Sequence, residues 1–233
     1  MKLDAECVPD IPRYAVAVDC VLFGAAQDAL EILLVRRGVA PFRDAWALPG
    51  GLVQPSESLV AAVLRELREE TAVAPDFLEQ LYTFGDVGRD PRGRVISVAW
   101  LGLVRPDRYP PLGATDAVEA RWWPLSALPP LSFDHGAIVE VGRTRLRGKV
   151  RYQPIGFELL PERFTLTQLQ SLYEVVLERP LDKRNFRRKV LRTGLLVDTG
   201  DKQEDVRHRP PVLYRFDTEQ YRRLESQGYL FEV

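Results

Sequence analysis

Residues 51–73 read GLVQPSESLVAAVLRELREETAV, and this stretch decides the fold of the first half of the chain. Its apolar residues recur at helical spacing, which predicts a helix from residue 57 or 58 to residue 71. On that helix Glu66, Glu69 and Glu70 lie along one edge, so we expect three carboxylates to converge on one spot. The apolar stripe beside them is formed by Leu59, Val60, Val63, Leu64 and Leu67.

The acidic edge of this helix favours a bound cation. Like charges three and four residues apart destabilise a helix by about 0.3 kcal/mol per pair unless something neutralises them. Mg²⁺ or Mn²⁺ suits carboxylate and backbone oxygens and often bridges to phosphates. The Gly50-Gly51 turn lets the backbone approach closely and can add a carbonyl ligand. A solvated acidic helix face is the alternative interpretation.

The whole spacing, G-x5-E-x7-R-E-L-x-E-E-x-A-V, resembles the signature of the Nudix hydrolase family. This resemblance implies hydrolysis of a diphosphate linked to another group, with Mg²⁺ or Mn²⁺ as the cofactor. The site residues that it implies are Glu66, Glu69 and Glu70 as catalytic groups and metal ligands, the Gly50 carbonyl as a further ligand, Gly51 beside the bound molecule, and Glu57 with Arg65 as an orienting ion pair.

One position departs from the Nudix signature. Ala72 stands where the family has glycine, at the helix exit where a left-handed residue is normally useful. An alanine held in that conformation costs about 1 kcal/mol but moves no carboxylate. We therefore expect metal binding to be retained and turnover to be less certain.

Strand-like segments surround the acidic helix. Apolar and β-branched runs predict strands at 14–24, 30–36, 46–53, 81–84, 95–104 and 118–123, and a second helix at 134–146. This order predicts a mixed sheet between helices. The family resemblance implies a Nudix α/β/α sandwich. The pattern lapses around residues 148–154, so we predict a first domain at residues 1–150.

Basic and aromatic residues near the acidic helix are candidates for lining a ligand pocket. The arginines suit a phosphate and the aromatic rings suit stacking on a base. The candidates are Arg36 (or Arg37), Phe42, Arg43, Trp46 and Arg89, the last in a polar loop at residues 86–94. The alternatives are a strand with basic ends, a core tryptophan and a solvated hairpin tip. Asp134 is an N-cap or a functional acid, and we expect His135 to be structural.

The last third of the chain has a different pattern. It predicts helices at 167–177 and 182–192, a two-stranded ribbon at 194–197 and 212–216, and a last helix at 218–226. Helix, turn, helix and ribbon in this order are typical of a winged helix-turn-helix. We therefore predict a second domain at residues 151–233.

The second of these helices is strongly basic. Six of the 32 Lys and Arg residues lie between residues 183 and 192, and we expect Phe186, Val190 and Leu191 to face inward. The outward residues suit base edges and phosphates of DNA. The DNA-binding candidates are Arg184, Asn185, Arg188, Lys189 and Arg192, with Arg207 and Arg209 in the wing loop. Lys183 and Arg187 are expected to pair with Glu174 or Glu178. The alternatives are a basic helix used for dimerisation and a merely solvated wing loop.

Residues 156–161, 164–170 and 180–189 resemble the C-terminal module of Nudix-related transcriptional regulators. This resemblance implies a homodimeric regulator, expected to be a repressor, that binds a DNA operator and senses ADP-ribose or a related nucleotide. It implies control of NAD metabolism or, in some branches, of sugar use. The alternative is an ADP-ribose or sugar-nucleotide pyrophosphatase with an accessory C-terminal module.

Composition narrows the class of protein. Hydrophobic residues make up 45% and charged residues 28%, and the net charge of −1 argues against a chain that coats nucleic acid along its whole length. The N-terminal residues do not read as a leader and no apolar run is long enough for a membrane span, so we expect a cytoplasmic protein without membrane contact. Two cysteines and two histidines form no zinc-binding pattern, so any metal should have oxygen ligands.

Overall fold

The computed structural model describes residues 12–26, 29–105, 119–203 and 210–232. The first part of the chain contains strands β1 (Ala15–Ala26), β2 (Ala29–Arg36), β3 (Trp46–Ala47), β4 (Gly50–Leu52), β5 (Phe77–Phe84), β6 (Val95–Leu103) and β7 (Ala120–Pro124), and helices α1 (Leu59–Thr71) and α2 (His135–Lys149). The second part contains α3 (Leu166–Leu177), α4 (Lys183–Arg192), β8 (Leu196–Lys202), β9 (Val212–Phe216) and α5 (Thr218–Ser226). Short 3₁₀ helices span Leu125–Ala127 and Pro154–Leu159.

Strands β1 to β7 form one mixed sheet. The strand order is β3-β2-β1-β6-β5, with β4 paired to β1 and β7 paired to β2. Strands β1 and β6 run parallel, and the other recorded pairs are antiparallel. The mixed sheet expected from the sequence is therefore confirmed.

The two faces of this sheet are covered by different helices. Side chains alternate along a strand, so neighbouring residues of β1 enter opposite layers. Cys20 and Leu22 are buried in the layer that contains Leu67 of α1, whereas Val21 is buried in the layer that contains Ile138 of α2. This arrangement is the predicted α/β/α sandwich.

Helix α1 has the expected ends but not the expected buried face. Ser58 caps its start through its side chain, and Ala72 ends it in the left-handed conformation at φ 54°. Ala62 is fully buried, whereas Val60 and Leu64 are 47% and 36% exposed. The apolar stripe seen in the sequence is therefore only partly buried, because the helix presents Ala62 to the sheet together with Val63 and Leu67 and leaves Val60 and Leu64 at the edge.

The predicted third strand, residues 46–53, is two short strands with different neighbours. Strand β3 pairs with β2, and β4 pairs with β1. Pro49 lies between them, and its carbonyl accepts a hydrogen bond from the Cys20 N–H at 2.9 Å. Because proline has no N–H to donate, it ends one pairing and lets the chain cross to the next strand.

The C-terminal elements form a winged helix-turn-helix. Thr165 and Gln168 make a capping box at the start of α3, and Asp182 caps α4. Gly194, at φ 67°, follows α4, so the ribbon begins later than predicted and β8 spans Leu196–Lys202. The wing candidates Arg207 and Arg209 lie outside the described residues.

One hydrophobic cluster crosses the predicted boundary near residue 150. It contains Leu30 and Leu146 from the first part of the chain together with Leu169, Tyr173 and Phe186 from the second. The division into residues 1–150 and 151–233 therefore stays a prediction. Within the described residues, no helix has the length and apolar character needed to cross a membrane.

Candidate functional site

A cavity of about 220 Å³ opens where β1, β4 and the end of α1 meet the loop before β6 and the start of α2. It is lined by both acidic and basic side chains. Those that bear on its chemistry are Asp19, Arg37, Glu70, Arg89, Asp90, Arg92, Phe133 and His135, together with the backbone of Gly50 and Gly51. We refer to this cavity as the pocket.

Glu70 is the member of the acidic edge that lines the pocket. Its Oε2 accepts a hydrogen bond from the Gly50 N–H at 2.9 Å. Burial raises the pKa of Glu70 to about 7, and the negative charges of Glu66 and Asp19 add to this shift against the opposing Gly50 hydrogen bond. In the free protein, therefore, a cation at this position would relieve an electrostatic cost.

Glu66 lies directly behind the backbone of the pocket. A side chain at Gly51 would place its Cβ 2.3 Å from Glu66 Oε1, and one at Gly50 would lie 2.2 Å from the Val18 carbonyl oxygen. The backbone clash requires glycine at position 50 for β4 to run this close to β1, whereas a side chain at position 51 would displace the Glu66 carboxylate. The predicted close backbone approach at the Gly50-Gly51 turn is present.

Arg65 holds several acids of α1 in place. It donates to both oxygens of Glu57, at 3.0 and 2.7 Å, and to Glu66 Oε1 at 2.7 Å. These hydrogen bonds raise the pKa of Arg65 and lower that of Glu57. Glu57 and Arg65 thus form an ion pair, and its role in orienting a ligand stays a prediction.

The three carboxylates of α1 do not converge as predicted. The Glu69 side chain is 59% exposed and bonds to Arg65 at 3.2 Å, outside the pocket. Across the described part of the chain, no group of three or more His, Cys, Asp or Glu is arranged to hold a metal. Successive helix positions lie about 100° apart, so Glu69 is turned away from Glu70, and its bond to Arg65 holds it on the exposed side of the helix.

A buried polar network that the sequence did not predict forms the floor of the pocket. Asp19 is only 6% exposed, and it accepts a hydrogen bond from Ser97 Oγ. Arg89 donates to both carboxylate oxygens of Asp134, at 2.8 and 2.6 Å, and lies 3.6 Å from Asp19. One signal was available: Asp19 is an isolated acid inside an apolar strand, where an unpaired charge is costly.

His135 connects this network to the glycine turn. Its Nδ1 accepts the Leu48 N–H at 2.9 Å, and its Nε2 lies 3.4 Å from Asp19 Oδ1. Burial lowers the pKa of His135, although the neighbouring Asp19 charge opposes the shift. The neutral ring therefore carries its proton on Nε2, and it braces the pocket wall as a structural residue.

Of the two arginines at the end of β2, Arg37 lines the pocket and Arg36 does not. Arg36 is exposed and bonds to Glu119 at 3.2 Å, because successive side chains at the end of β2 point in opposite directions. The Arg37 guanidinium lies 4.8 Å from the centre of the Phe133 ring, and that of Arg92 lies 5.7 Å from it. Burial, followed by the charge of Arg92, lowers the pKa of Arg37.

The predicted aromatic residues lie outside the pocket. Trp46 packs edge-on against Trp123 with ring centres 5.3 Å apart, as in the core-tryptophan interpretation. Phe42 is 45% exposed and touches the edge of Phe133 at 4.8 Å. Arg43 is exposed and does not line the pocket. Phe133, which the sequence did not single out, is the aromatic side chain in the pocket wall.

The basic helix presents a continuous charged face. Phe186 and Val190 are buried as predicted, but Leu191 is 46% exposed. Arg184, Asn185, Arg188, Lys189 and Arg192 are all exposed. Arg188 donates to Asn185 Oδ1 at 2.7 Å, which aligns two of these side chains.

The predicted pairing of Lys183 and Arg187 is wrong. Arg187 donates to Thr167 Oγ1 at 2.9 Å, while Glu174 accepts the Leu181 N–H and Glu178 binds arginines of α2. The turn after α3 brings the Leu181 N–H to Glu174, and the packing of α2 against the end of α3 brings Arg143 and Arg147 to Glu178.

Comparison with known proteins identifies two family models within the chain. Residues 13–141 match the NUDIX domain, and residues 156–216 match the NrtR DNA-binding winged helix domain. The chain is 35% identical over 216 residues to the ADPR responsive transcriptional repressor NtrR of Acinetobacter baylyi. The matched region covers 91% of this chain and 86% of that protein. It is 39% identical over 126 residues to an ADP-ribose pyrophosphatase of Methanocaldococcus jannaschii, covering 54% of this chain and 71% of that enzyme.

Solved structures show the same two-part similarity. Shewanella oneidensis NrtR in complex with a 27mer DNA superposes with a TM-score of 0.80 at 38% identity, covering 93% of this chain and 97% of that one. The NUDIX domain of the same protein in complex with ADP ribose has a TM-score of 0.51 at 36% identity, covering 61% and 95%.

Proposed function

This chain belongs to the NrtR family of Nudix proteins, and from that premise we propose that it is a transcriptional repressor whose affinity for DNA responds to ADP-ribose. The observation that carries the proposal is the presence of two sites in one fold: a charged pocket in the Nudix part and an exposed basic face on α4. Binding of ADP-ribose lowers the affinity for DNA because it favours one arrangement of the winged helix over another.

The pocket suits a nucleoside diphosphate derivative. Arg37 and Arg92 both lie over the Phe133 ring, and although Asp90 already pairs with Arg92, an anion in the pocket relieves the repulsion between the two guanidinium groups. The Phe133 ring offers a surface against which a base or a sugar packs. We assign the diphosphate to these two arginines together with Arg89, the third arginine that lines the pocket, and set aside Arg36, Arg43 and Trp46.

A divalent cation is indicated by the Nudix match, and we propose Mg²⁺ or Mn²⁺ held by Glu66 and Glu70. Two carboxylates fit such an ion, because Mg²⁺ commonly takes one or two protein carboxylates and completes its shell with water and ligand phosphate. Burial, together with the charges of Glu66 and Asp19, raises the pKa of Glu70, so a bound cation would favour its ionised form. The Gly50 carbonyl and Glu69 remain candidate ligands, Glu69 the weaker because of its exposure.

The basic face of α4 suits the major groove of DNA. Its arginines and Asn185 match the donors and acceptors of base edges, and Lys189 suits a phosphate. Arg207 and Arg209, which the sequence assigns to the wing loop, complete the proposed set of DNA contacts. Two copies of this helix would read a symmetric operator, so we also propose a homodimer, which sedimentation of the full chain at several concentrations checks.

Mobility shift with a duplex that the protein selects from a random-sequence pool tests the repressor. We expect binding in low salt that ADP-ribose with Mg²⁺ weakens, and expect Arg188→Ala to reduce the slope of log K against log salt by about 1. Glu140→Gln, on the exposed side of α2, should leave that slope unchanged. Failure to select any duplex would refute the proposed DNA binding.

Hydrolysis of ADP-ribose is the second candidate function, favoured by the retained pair Glu66 and Glu70 beside the glycine turn. When bound, the divalent ion supplies neutralisation of phosphate charge and an acidified water. Glu70 is the group of this chain placed to hold a proton or a water at that point. We expect product release from ADP-ribose to disappear in Glu70→Gln. A flat time course for the wild-type protein with either metal would leave the pocket as a sensor alone.

A further inference from the structure

Helix α2 runs from the pocket to the helix-turn-helix. It begins at His135 in the pocket wall, and its later turns carry Arg143 and Arg147, which contact the end of α3. At 1.5 Å per residue these arginines lie about 12 and 18 Å along the helix from His135. One element therefore reaches from the pocket to the end of α3, the helix that precedes the basic helix.

The first end of α2 depends on charges that face the pocket. Asp134 is the residue before the helix, and its side chain does not cap the helix. Its two carboxylate oxygens instead accept hydrogen bonds from Nε and Nη2 of Arg89. Arg89 also lines the pocket. An anion that enters the pocket competes with Asp134 for this guanidinium, so occupancy of the pocket changes what holds the start of α2.

The C-terminal half of α2 is joined to the end of α3 by ion pairs. Arg143 and Arg147 of α2 and Glu178 of α3 form this contact, which we call the Glu178 ion-pair cluster. Arg143 Nε donates to Glu178 Oε1 at 2.7 Å, and Arg147 lies 2.5 Å from Glu178 Oε2. The hydrogen bond from Arg143 lowers the pKa of Glu178, so the cluster is charged at neutral pH. A carboxylate that binds two guanidinium groups fixes position more strongly than a single exposed pair.

Local helix stability does not account for an acid at position 178. Glu178 is the C-cap of α3, where a negative charge opposes the helix dipole, and its φ of 53° is left-handed, where glycine or asparagine is favoured. The residue is thus unfavourable for α3 itself. The glutamate at position 178 instead forms the contact with α2, at the turn that leads directly into the basic helix.

The interface beside this cluster is loosely packed. A second cavity, of about 380 Å³, opens at the edge of the shared hydrophobic cluster and is lined by Leu30 and Leu146 of the Nudix part, Val175 and Val176 of α3, and Arg143 and Glu178. Interiors are normally close-packed, so a space of this size lets the end of α3 shift against α2. The ion pairs of Glu178 are polar contacts that hold the end of α3 against α2 beside this space.

We propose that α2 transmits occupancy of the pocket to the DNA-binding helix, with the Glu178 ion-pair cluster as the positioning contact between them. This inference rests on the proposed function and names its route of regulation. Ligand binding displaces Arg89 from Asp134, α2 moves, and the cluster carries that movement to the turn between α3 and α4. The coupling free energy is the difference in the ligand's affinity for the two arrangements.

The test measures three constants on the full chain: the Kd for ADP-ribose with Mg²⁺, and the Kd for the selected duplex without and with saturating ADP-ribose. In Glu178→Gln we expect the ADP-ribose Kd to stay within about twofold of wild type, since the residue lies outside the pocket. The ratio of the two DNA constants should fall by about threefold or more. Glu178→Asn should behave alike, and its side chain suits the left-handed position, which preserves the fold.

Glu140→Gln is the matched control. Glu140 also bonds to Arg143, at 3.3 Å, but it belongs to α2 and is 63% exposed. The Glu140→Gln variant should keep the wild-type ratio of the two DNA dissociation constants. If Glu178→Gln and Glu178→Asn bind both ligands and keep that ratio too, the inference is wrong while the proposed function stands. If the wild-type protein binds ADP-ribose or DNA but not both, the proposed function itself fails.

Amide exchange on the wild-type protein gives a result that needs no variant. ADP-ribose should change the exchange rates at residues 143–149 and 178–182 as well as around the pocket. Changes confined to the pocket would overturn the inference.

Discussion

Glu70 makes the stability of the free protein depend on pH at the scale of a single residue. Its pKa is about 7 in the folded protein against an ordinary value of 4.5. Below pH 4.5 the carboxyl is neutral in both states and has no effect. Between pH 4.5 and 7 the unfolded chain releases its proton while the folded protein keeps it, so stability falls as pH rises.

Replacing Glu70 with glutamine should remove this loss. The free energy of unfolding of Glu70→Gln should gain on the order of 2 kcal/mol relative to wild type between pH 4.5 and 8, measured by urea unfolding in EDTA. Glu69→Gln, which changes an exposed carboxylate on the same helix, should run parallel to wild type. If the free energy of unfolding of Glu70→Gln also changes with pH in parallel with that of wild type, the pKa of Glu70 is not raised and the prediction is wrong.

At the scale of the element, the N-cap of α4 supports the proposed DNA-binding face. The Asp182 side chain accepts the Asn185 N–H at 2.7 Å, which orders the turn that carries Arg184 and Asn185. Asp182→Ala should lower the free energy of unfolding by about 1 kcal/mol and weaken DNA affinity through fraying of that turn. Urea unfolding and a DNA titration measure the two effects.

Asp182→Asn separates capping from charge. Both variants remove the same negative charge, but asparagine caps a helix as well as aspartate does. We therefore expect Asp182→Asn to match wild type in stability and to bind DNA at least as tightly. Equal losses in the two variants would show that the charge, and not the cap, is what matters.

At the scale of the whole molecule, the shared hydrophobic cluster predicts that the two parts unfold together. The four tryptophans all lie between residues 46 and 123, whereas Phe186 belongs to α4 and is 5% exposed. Phe186→Ala should cost about 3 kcal/mol, and that loss should appear in the tryptophan-monitored transition although the substitution lies in the other part. Thermal unfolding followed by fluorescence measures it.

Leu191→Ala is the control from the same helix. Leu191 is 46% exposed, so its truncation should shift the transition little. If Phe186→Ala leaves the midpoint of the tryptophan-monitored transition unchanged, the two parts unfold independently. The boundary near residue 150 would then separate two unfolding units.

The sequence alone determined the helix and strand order, the Nudix spacing and the winged helix, because hydrophobic period and capping residues act over a few neighbouring positions. It also indicated Glu66, Glu70 and the basic face of α4. Tertiary structure decided which side chains line the pocket. Arg37 lines it and Arg36 does not, and Phe133 is the aromatic residue in its wall in place of Trp46. It also brought Asp19, Arg89 and Asp134 together from three distant segments. Such contacts depend on strand register and layer packing, which no local pattern encodes.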